Sequence, residues 1–438
     1  MSNLRRYEYC VLVVSMKPFF LLGLGLFSAT ALSHPSFAAS DARTLQIVVS
    51  KDRQSLAVYD GDQVVATSKV STGKRGHMTP SGIFSILEKK VYHESNLYSA
   101  SPMPYMQRLT WSGIALHESN SVPNYPASHG CVRMPKAFAK ALYQMTERGV
   151  HVVIADQPLV PQPFQNSMLF QPQAAPPPAL FSGIELRPMT ASFLPQAQPL
   201  QVATNDVTSI RIPQAQAVVA PPPEQAPLSI LITRRGLREN VRDLQGLLNG
   251  MGFMAGTPDG MLGPATVQAI EDFKKAHDIK MTGGLISPAL MKAVYAAAGK
   301  GEPPNGAIMV RQNFRPLFEA PANIAEPEEA LGVHFFTANG IDRISGKADW
   351  FGMTLEEDLS KQTRKRLGIT SEAQSQSLDA AGQALGRITI PDEVRHRIED
   401  LLTQGSSLTI SDTGLGPETG NETDFITITN NGALGKKG

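Results

Sequence analysis

Cysteine is nearly absent from this chain, with two among 438 residues, and tryptophan is as scarce. So few cysteines cannot staple a framework, and ordinary core packing has to hold the fold. Neither charge sign is in excess: 40 Lys and Arg face 39 Asp and Glu, for a net charge of +1. That balance removes the electrostatic case for a nucleic-acid partner or a polybasic membrane surface. Long apolar runs are missing after the N-terminal region, so no later segment could serve as a membrane span. What is present is a 42% hydrophobic content, enough for globular cores, and 33 unevenly spread prolines. The length suggests roughly two to four domains joined by linkers.

Residues 1–38 read as a secretory signal peptide. Met16-Lys17 supplies a positive start, Phe19 to Leu26 an apolar stretch, and Ser36-Phe37-Ala38 the small residues of a cleavage site. The expected cut follows Ala38, with Ala39 as its neighbour; a retained N-terminal anchor is the other reading of the same run. Cys10 leaves with the signal, and it precedes the apolar stretch, so it is not placed as a lipoprotein cysteine. The exported chain then keeps Cys131 alone. Such a thiol is inert and buried, paired with another molecule, or reactive.

Residues 41–156 read as a compact β-rich domain. Leu45-Gln46-Ile47-Val48-Val49, the alternating Ser55 to Asp60, and Gln63 to Val70 after the turn at Gly61-Asp62 form a meander. Ser81 to Leu87 is a further strand and Gly113 to His117 a short buried one. A helix follows Pro135 with Phe138, Leu142 and Met145 on one face, and Val150 to Ile154 closes the domain. Residues 157–230 are rich in Pro, Gln and Ala, a composition that reads as an extended spacer. Residues 231–299 read as a small three-helix bundle, with stripes at Val241, Leu244, Leu247, Leu248 and Met251, then Val267, Ile270 and Phe273, then Leu290, Met291 and Val294. Residues 300–438 read as α+β or partly disordered, with strands at Phe335-Phe336, Trp350-Phe351, Ser407 to Ile410 and Asp424 to Thr429 and a frayed end from Asn430.

The run Ser128-His129-Gly130-Cys131-Val132-Arg133 carries the chemistry. A thiol is mostly protonated at neutral pH, so catalysis needs a base and a site that favours the thiolate. His117 and His129 are candidate bases, and Gly130 allows close backbone approach. The helix after Pro135 could aim its N-terminal dipole at the sulfur, and the amides of Gly130 and Cys131 could donate to an oxyanion. The bland alternative is a buried Cys at a strand end; the polar and charged residues around Cys131 argue against it.

The segment from His117 to Arg133 resembles the signature of the L,D-transpeptidase catalytic domain: a His, a gap, then Ser/Thr-His-Gly-Cys with Arg two residues on. Ser71-Thr72-Gly73, Thr79-Pro80-Ser81-Gly82 and Met103-Pro104-Tyr105 agree with it, over about residues 44–155. The resemblance implies a mainly β sandwich or barrel with a short helix. It implies Cys131 as nucleophile, His117 as general base and His129 as a positioning or oxyanion-side residue, with Arg133, Gly130, Ser128 and Tyr105 toward the substrate. His77 and His93 fall outside the motif and read as ordinary polar positions.

The implied reaction is two-step acyl transfer on peptidoglycan stem peptides, through a thioester, in the periplasm or cell envelope. A stem diamino acid as acceptor gives a 3→3 cross-link, an amine of an outer envelope protein gives a wall-anchored protein, and water gives a carboxypeptidase. No metal or cofactor is expected, although Zn²⁺ could bind and inhibit a Cys–His pair. Asp259-Gly260, Gly263, Thr266, Ala269-Ile270 and Phe273 resemble a peptidoglycan-binding domain, which implies wall binding. Residues 385–429 resemble C-terminal extensions of multidomain transpeptidases, and Asp412, Glu418 and Asp424 there read as solvated acids. A hydrolytic cysteine peptidase and a non-catalytic wall-binding scaffold are the competing functions.

Overall fold

The structure, a computed structural model, describes residues 44–95, 100–174, 225–280, 285–371 and 377–429. The signal reading, most of the Pro-rich stretch, Thr282-Gly283 and the segment from Asn430 lie outside them.

The catalytic region opens with the expected meander: β1 (Leu45–Ser50), β2 (Ser55–Asp60) and β3 (Gln63–Lys69), antiparallel in sequence order. Then come β4 (Gly82–Ser85), β5 (Glu88–Lys90), β6 (Met106–Arg108), β7 (Ala115–Glu118), β8 (Val132–Met134), helix α1 (Lys136–Met145) and β9 (His151–Ala155). Strand β9 slots parallel to β1 and antiparallel to β4, while β5-β6-β7-β8 form a separate four-stranded sheet.

The two-residue period of a strand sends neighbours to opposite faces, and here both faces are buried. Ile47, Val49, Phe84, Val152 and Ile154 join one core with Leu116, Val132 and Leu142 of the small sheet and α1. Val48, Tyr59, Ile83 and Val153 join a second core on the other face.

That second core is completed by the region the sequence left least defined. After β10 (Gln162–Phe164) and β11 (Leu228–Arg234) come α2 (Leu237–Gly250), α3 (Pro264–Ala276) and α4 (Pro288–Ala297). These are followed by β12 (Gly306–Gln312), β13 (Arg315–Ile324), β14 (Val333–Asp342), β15 (Lys347–Leu355), α5 (Lys361–Leu367) and α6 (Leu378–Gly386). The series ends with β16 (Ile388–Thr389), α7 (Asp392–Leu401), β17 (Ser407–Ser411) and β18 (Thr427–Ile428). Eight strands form one sheet in the order β10-β15-β14-β17-β11-β12-β13-β16. Val333, Phe335, Met353 and Leu355 point from it to the catalytic sheet. Phe336, Trp350, Ile230, Ile308 and Leu408 point the other way, under Ala381 and Leu385 of α6 and Ile398 of α7. The layers therefore run small sheet and α1, catalytic sheet, large sheet, helices.

Two sequence expectations change. Residues 231–234 are strand and not bundle: Leu228–Arg234 is covered on both faces because it sits centrally between β12 and β17. The helices α2–α4 pack around Leu244, Leu248, Ile270, Phe273 and Val294, with Val267 only half-buried. They are an excursion between β11 and β12, which pair directly, Arg234 opposite Gly306. The spacer expectation also narrows, since Pro163 pairs with Phe351 and Leu169 and Phe170 are core. Among the described residues no helix is long and apolar enough to cross a membrane.

Candidate active site

Parallel pairing of β7 with β8 turns the motif spacing into proximity. Leu116 lies opposite Val132 and His117 opposite Arg133. Extending that register by one places Cys131 beside Ala115, with which it packs against Met103 and Met106. Ala115 and His117 share a strand face, so the His117 imidazole and the Cys131 thiol come to the same side of the small sheet.

His117 is buried, and its Nδ1 lies 2.7 Å from the carbonyl oxygen of Glu118. A carbonyl can only accept, so Nδ1 carries the proton and Nε2 keeps its lone pair. Burial pushes the imidazole down to about 4; the Glu118 carbonyl opposes this, and Arg133 adds to the lowering. The ring is therefore neutral through the physiological range. Cys131 is half-buried, and its thiol donates to the Gly113 carbonyl at 3.3 Å. Burial raises its pKa, against the Ala115 amide and the charges of Arg108 and Arg133, which favour the thiolate. The resting pair is a neutral thiol and a neutral imidazole.

The loop before Cys131 is held from inside. Ser128 is buried; its hydroxyl donates to the Cys131 carbonyl at 2.5 Å and accepts from the Gly130 amide at 3.2 Å. The Ser128 and Ala127 amides both reach the Thr72 carbonyl, and Thr72 is gripped by Gln54. Gly130 has φ +117°, and a Cβ there would lie 2.8 Å from Ile114 Cδ1, so the position requires glycine. Ser128 thus shapes the loop and offers no free hydroxyl to a substrate. The Gly130 amide donates to Ser128 Oγ in this structure.

The helix-dipole expectation also fails. β8 separates Cys131 from α1 by roughly 10 Å of extended chain, and the dipole's effect fades beyond the first turn.

His129 is on the exposed rim, where its ring meets that of His77 edge-on at 4.8 Å. Burial, Lys74, His77 and Arg133 all lower its pKa. His77, read from sequence as an ordinary polar residue, is therefore part of the rim, a pairing that spacing along the chain does not reveal. Glu118 and Gly113 were missed for a different reason: each acts through its carbonyl, which leaves no side-chain signature. Arg133 is half-buried, with its charge felt at both Cys131 and His117. Tyr105 packs against the catalytic core, its ring 5.8 Å from that of Tyr143.

Asp412 and Asp424 depart from the solvated reading, being 0% and 6% exposed. Asp412 accepts from Arg234 Nε at 2.5 Å and from the amides of Leu331 and Gly332. Asp424 accepts from Ser85 Oγ at 2.7 Å. Among the described residues no group of His, Cys, Asp and Glu is arranged to hold a metal ion.

The family model described as the L,D-transpeptidase catalytic domain matches residues 45–154, and the one described as "Putative peptidoglycan binding domain" matches residues 238–293. The chain is 31% identical over 127 residues to the "Putative L,D-transpeptidase YqjB" of Bacillus subtilis, covering 25% of this chain and 70% of that one. Among solved structures, an L,D-transpeptidase from Stackebrandtia nassauensis is 26% identical over 28% of this chain and 60% of its own, with a TM-score of 0.24. One from Mycobacterium smegmatis is 22% identical over 26% and 58%, with a TM-score of 0.24. The chain thus spans less than two thirds of the length of these solved structures. On the match to residues 45–154 and on the Bacillus relative, this chain belongs to the L,D-transpeptidase family.

Proposed function

We propose that this chain is an exported, cysteine-dependent L,D-transpeptidase acting on peptidoglycan stem peptides in the cell envelope. The observation that carries the reading is His117, fixed by the Glu118 carbonyl with Nε2 unprotonated, on the same face as Cys131. The Cys131 sulfur attacks the carbonyl of the third stem residue while its proton passes to His117 Nε2. The C–N bond to the terminal D-Ala breaks, the leaving amine takes the proton from His117, and a thioester remains. An incoming amine then gives a proton to His117 and attacks the thioester; the C–S bond breaks and the sulfur regains its proton.

With both groups neutral at rest, proton transfer accompanies attack and no preformed thiolate is needed. Arg133 beside the pair suits a substrate carboxylate, and the helical unit at 238–293 suits wall binding. The acceptor is an amine, either of a second stem's diamino acid, giving a 3→3 cross-link, or of an outer envelope protein.

Incubation of the exported chain with a carbapenem, read by intact mass, tests the nucleophile. A single adduct on the wild type that vanishes in Cys131→Ala is expected; an unlabelled wild type sinks the reading. Muropeptide profiling reads the acceptor, and D-Ala release with no new dimer or protein conjugate would convert the assignment to a carboxypeptidase.

A further inference from the structure

The turn beside the thiol is tied to a segment far along the chain. Residues 110–114 form a tight loop: the Gly113 amide reaches the Thr110 carbonyl at 3.3 Å and the Ile114 amide reaches Thr110 Oγ1 at 3.0 Å. This loop supplies two neighbours of the candidate nucleophile. The Gly113 carbonyl accepts the Cys131 thiol, and the Ile114 side chain lies against Gly130. At its tip the Ser112 amide donates at 3.4 Å to Glu418 Oε2.

Glu418 sits on a braced arm. Arg311 of β12 donates from Nη1 to the carbonyls of Gly420 and Thr423, at 2.8 and 2.7 Å. Thr419 Oγ1 accepts from the Ile426 amide at 3.0 Å, closing the arm on itself. The far side is anchored in the catalytic region in three ways. Ile426 is 2% exposed inside the catalytic core. Asp424 takes the Ser85 hydroxyl, which also meets His151 Nδ1 at 3.1 Å. Thr427 and Ile428 extend the sheet beyond β4. A carboxylate held on such an arm can fix a surface turn, where a carboxylate on a free tail would lose the gain to side-chain entropy.

We propose that Glu418 is a positioning residue for acyl transfer: through Ser112 it holds the 110–114 turn, and through Gly113 and Ile114 that turn sets the orientation of Cys131. The proposal rests on Cys131 as nucleophile, and its test separates the two claims.

In the full chain, Glu418→Ala should acylate with a carbapenem about tenfold more slowly at saturating probe, with the apparent probe affinity and the melting temperature close to wild type. A displacement at the reacting atom costs rate more than binding, and an ångström-scale error costs on the order of a hundredfold. Glu418→Gln, whose amide oxygen can accept the same N–H, should recover most of the rate. Glu418→Ala acylating at the wild-type rate overturns the proposal. A Glu418→Gln variant as slow as Glu418→Ala does so too. If Glu418→Ala does not fold, Glu418→Gln and Glu418→Lys decide by the same comparison: a near-wild-type Gln variant and a slowed Lys variant support the role, and equal rates overturn it. A wild type that takes no label refutes Cys131 as nucleophile and leaves nothing for Glu418 to position, a result distinct from equal labelling of wild type and variants.

Discussion

His117 donates its Nδ1 proton to the carbonyl of its own neighbour, Glu118, across 2.7 Å. The acceptor is main chain, so the tautomer of the ring is set by the backbone of strand β7 and not by any side chain. Substituting Glu118 should therefore leave the orientation of the base intact. This differs from a carboxylate-oriented histidine, in which loss of the acid loses the tautomer.

The thiol should resist ionisation. Burial raises Cys131 above the ordinary thiol value of about 8.5, while the Ala115 amide, Arg108 and Arg133 pull the other way. The rate of iodoacetamide alkylation, followed by mass, is expected to have its pH midpoint above that value. Arg133→Ala should move it higher still, because a charge favouring the thiolate is gone. A midpoint near 6 would mean a preformed thiolate and a different mechanism.

Acid should weaken the fold through its buried histidines, His117, His151 and His334, whose pKa values burial lowers. His117 and His334 are both held down to about 4, first by burial. Unfolded, each binds a proton below about 6.5. Between those values the unfolded state binds more protons, so stability rises with pH there and is lost as pH falls from 6.5 toward 4. The gap is worth roughly 3 kcal/mol for each ring. His334, bonded to the Leu331 carbonyl and Thr354, lies away from the thiol. His334→Gln should flatten the acid slope in urea titrations, with Cys131 acylation at pH 7 unchanged.

Glu357 predicts the opposite dependence. Its carboxyl is pushed up to about 8 by burial and then by Asp412, with Arg234 and Arg364 pulling down. Between about 4.5 and 8 the folded state keeps a proton that the unfolded chain has released, so stability falls as pH rises through that window. Glu357→Gln should match the wild type near pH 4.5 and melt higher above pH 8, by thermal scans across the range. Equal melting temperatures at pH 9 would show that the carboxyl ionises freely.

Removing the Ile426 side chain should cost about 2–5 kcal/mol, the usual range for a buried aliphatic residue cut to Ala. The loss should appear in the catalytic sheet, as faster amide exchange in β4, although residue 426 is far along the chain. Unchanged protection in β4 would show that the C-terminal segment does not support that sheet.

Particular residues show what was legible in advance. Leu45 to Val49 announces a strand, and His117 and Cys131 announce a site by their spacing in a recognisable motif. Leu228–Arg234 does not announce itself: without a clean two-residue alternation, it fits a helix or a strand, and only its partners at 306–312 and 407–411 decide. Gly113 and Glu118 contribute carbonyl oxygens, which every residue type possesses. His77 meets His129 only after the chain folds back, and Glu418 reaches Ser112 across most of the sequence. Local pattern reports periodicity and side-chain chemistry; it is silent on main-chain acceptors and on pairings made at long range.

The pairing of β18 with β4 has a kinetic consequence. Strand β4 is made early, and its outer edge stays open until Thr427 arrives, after the bundle and the large sheet have been synthesised. An unpaired edge of that kind invites association with other chains. Closing it last is a contact of very long sequence separation, which is slow to form. During that interval the open edge of β4 leaves the nascent chain prone to association.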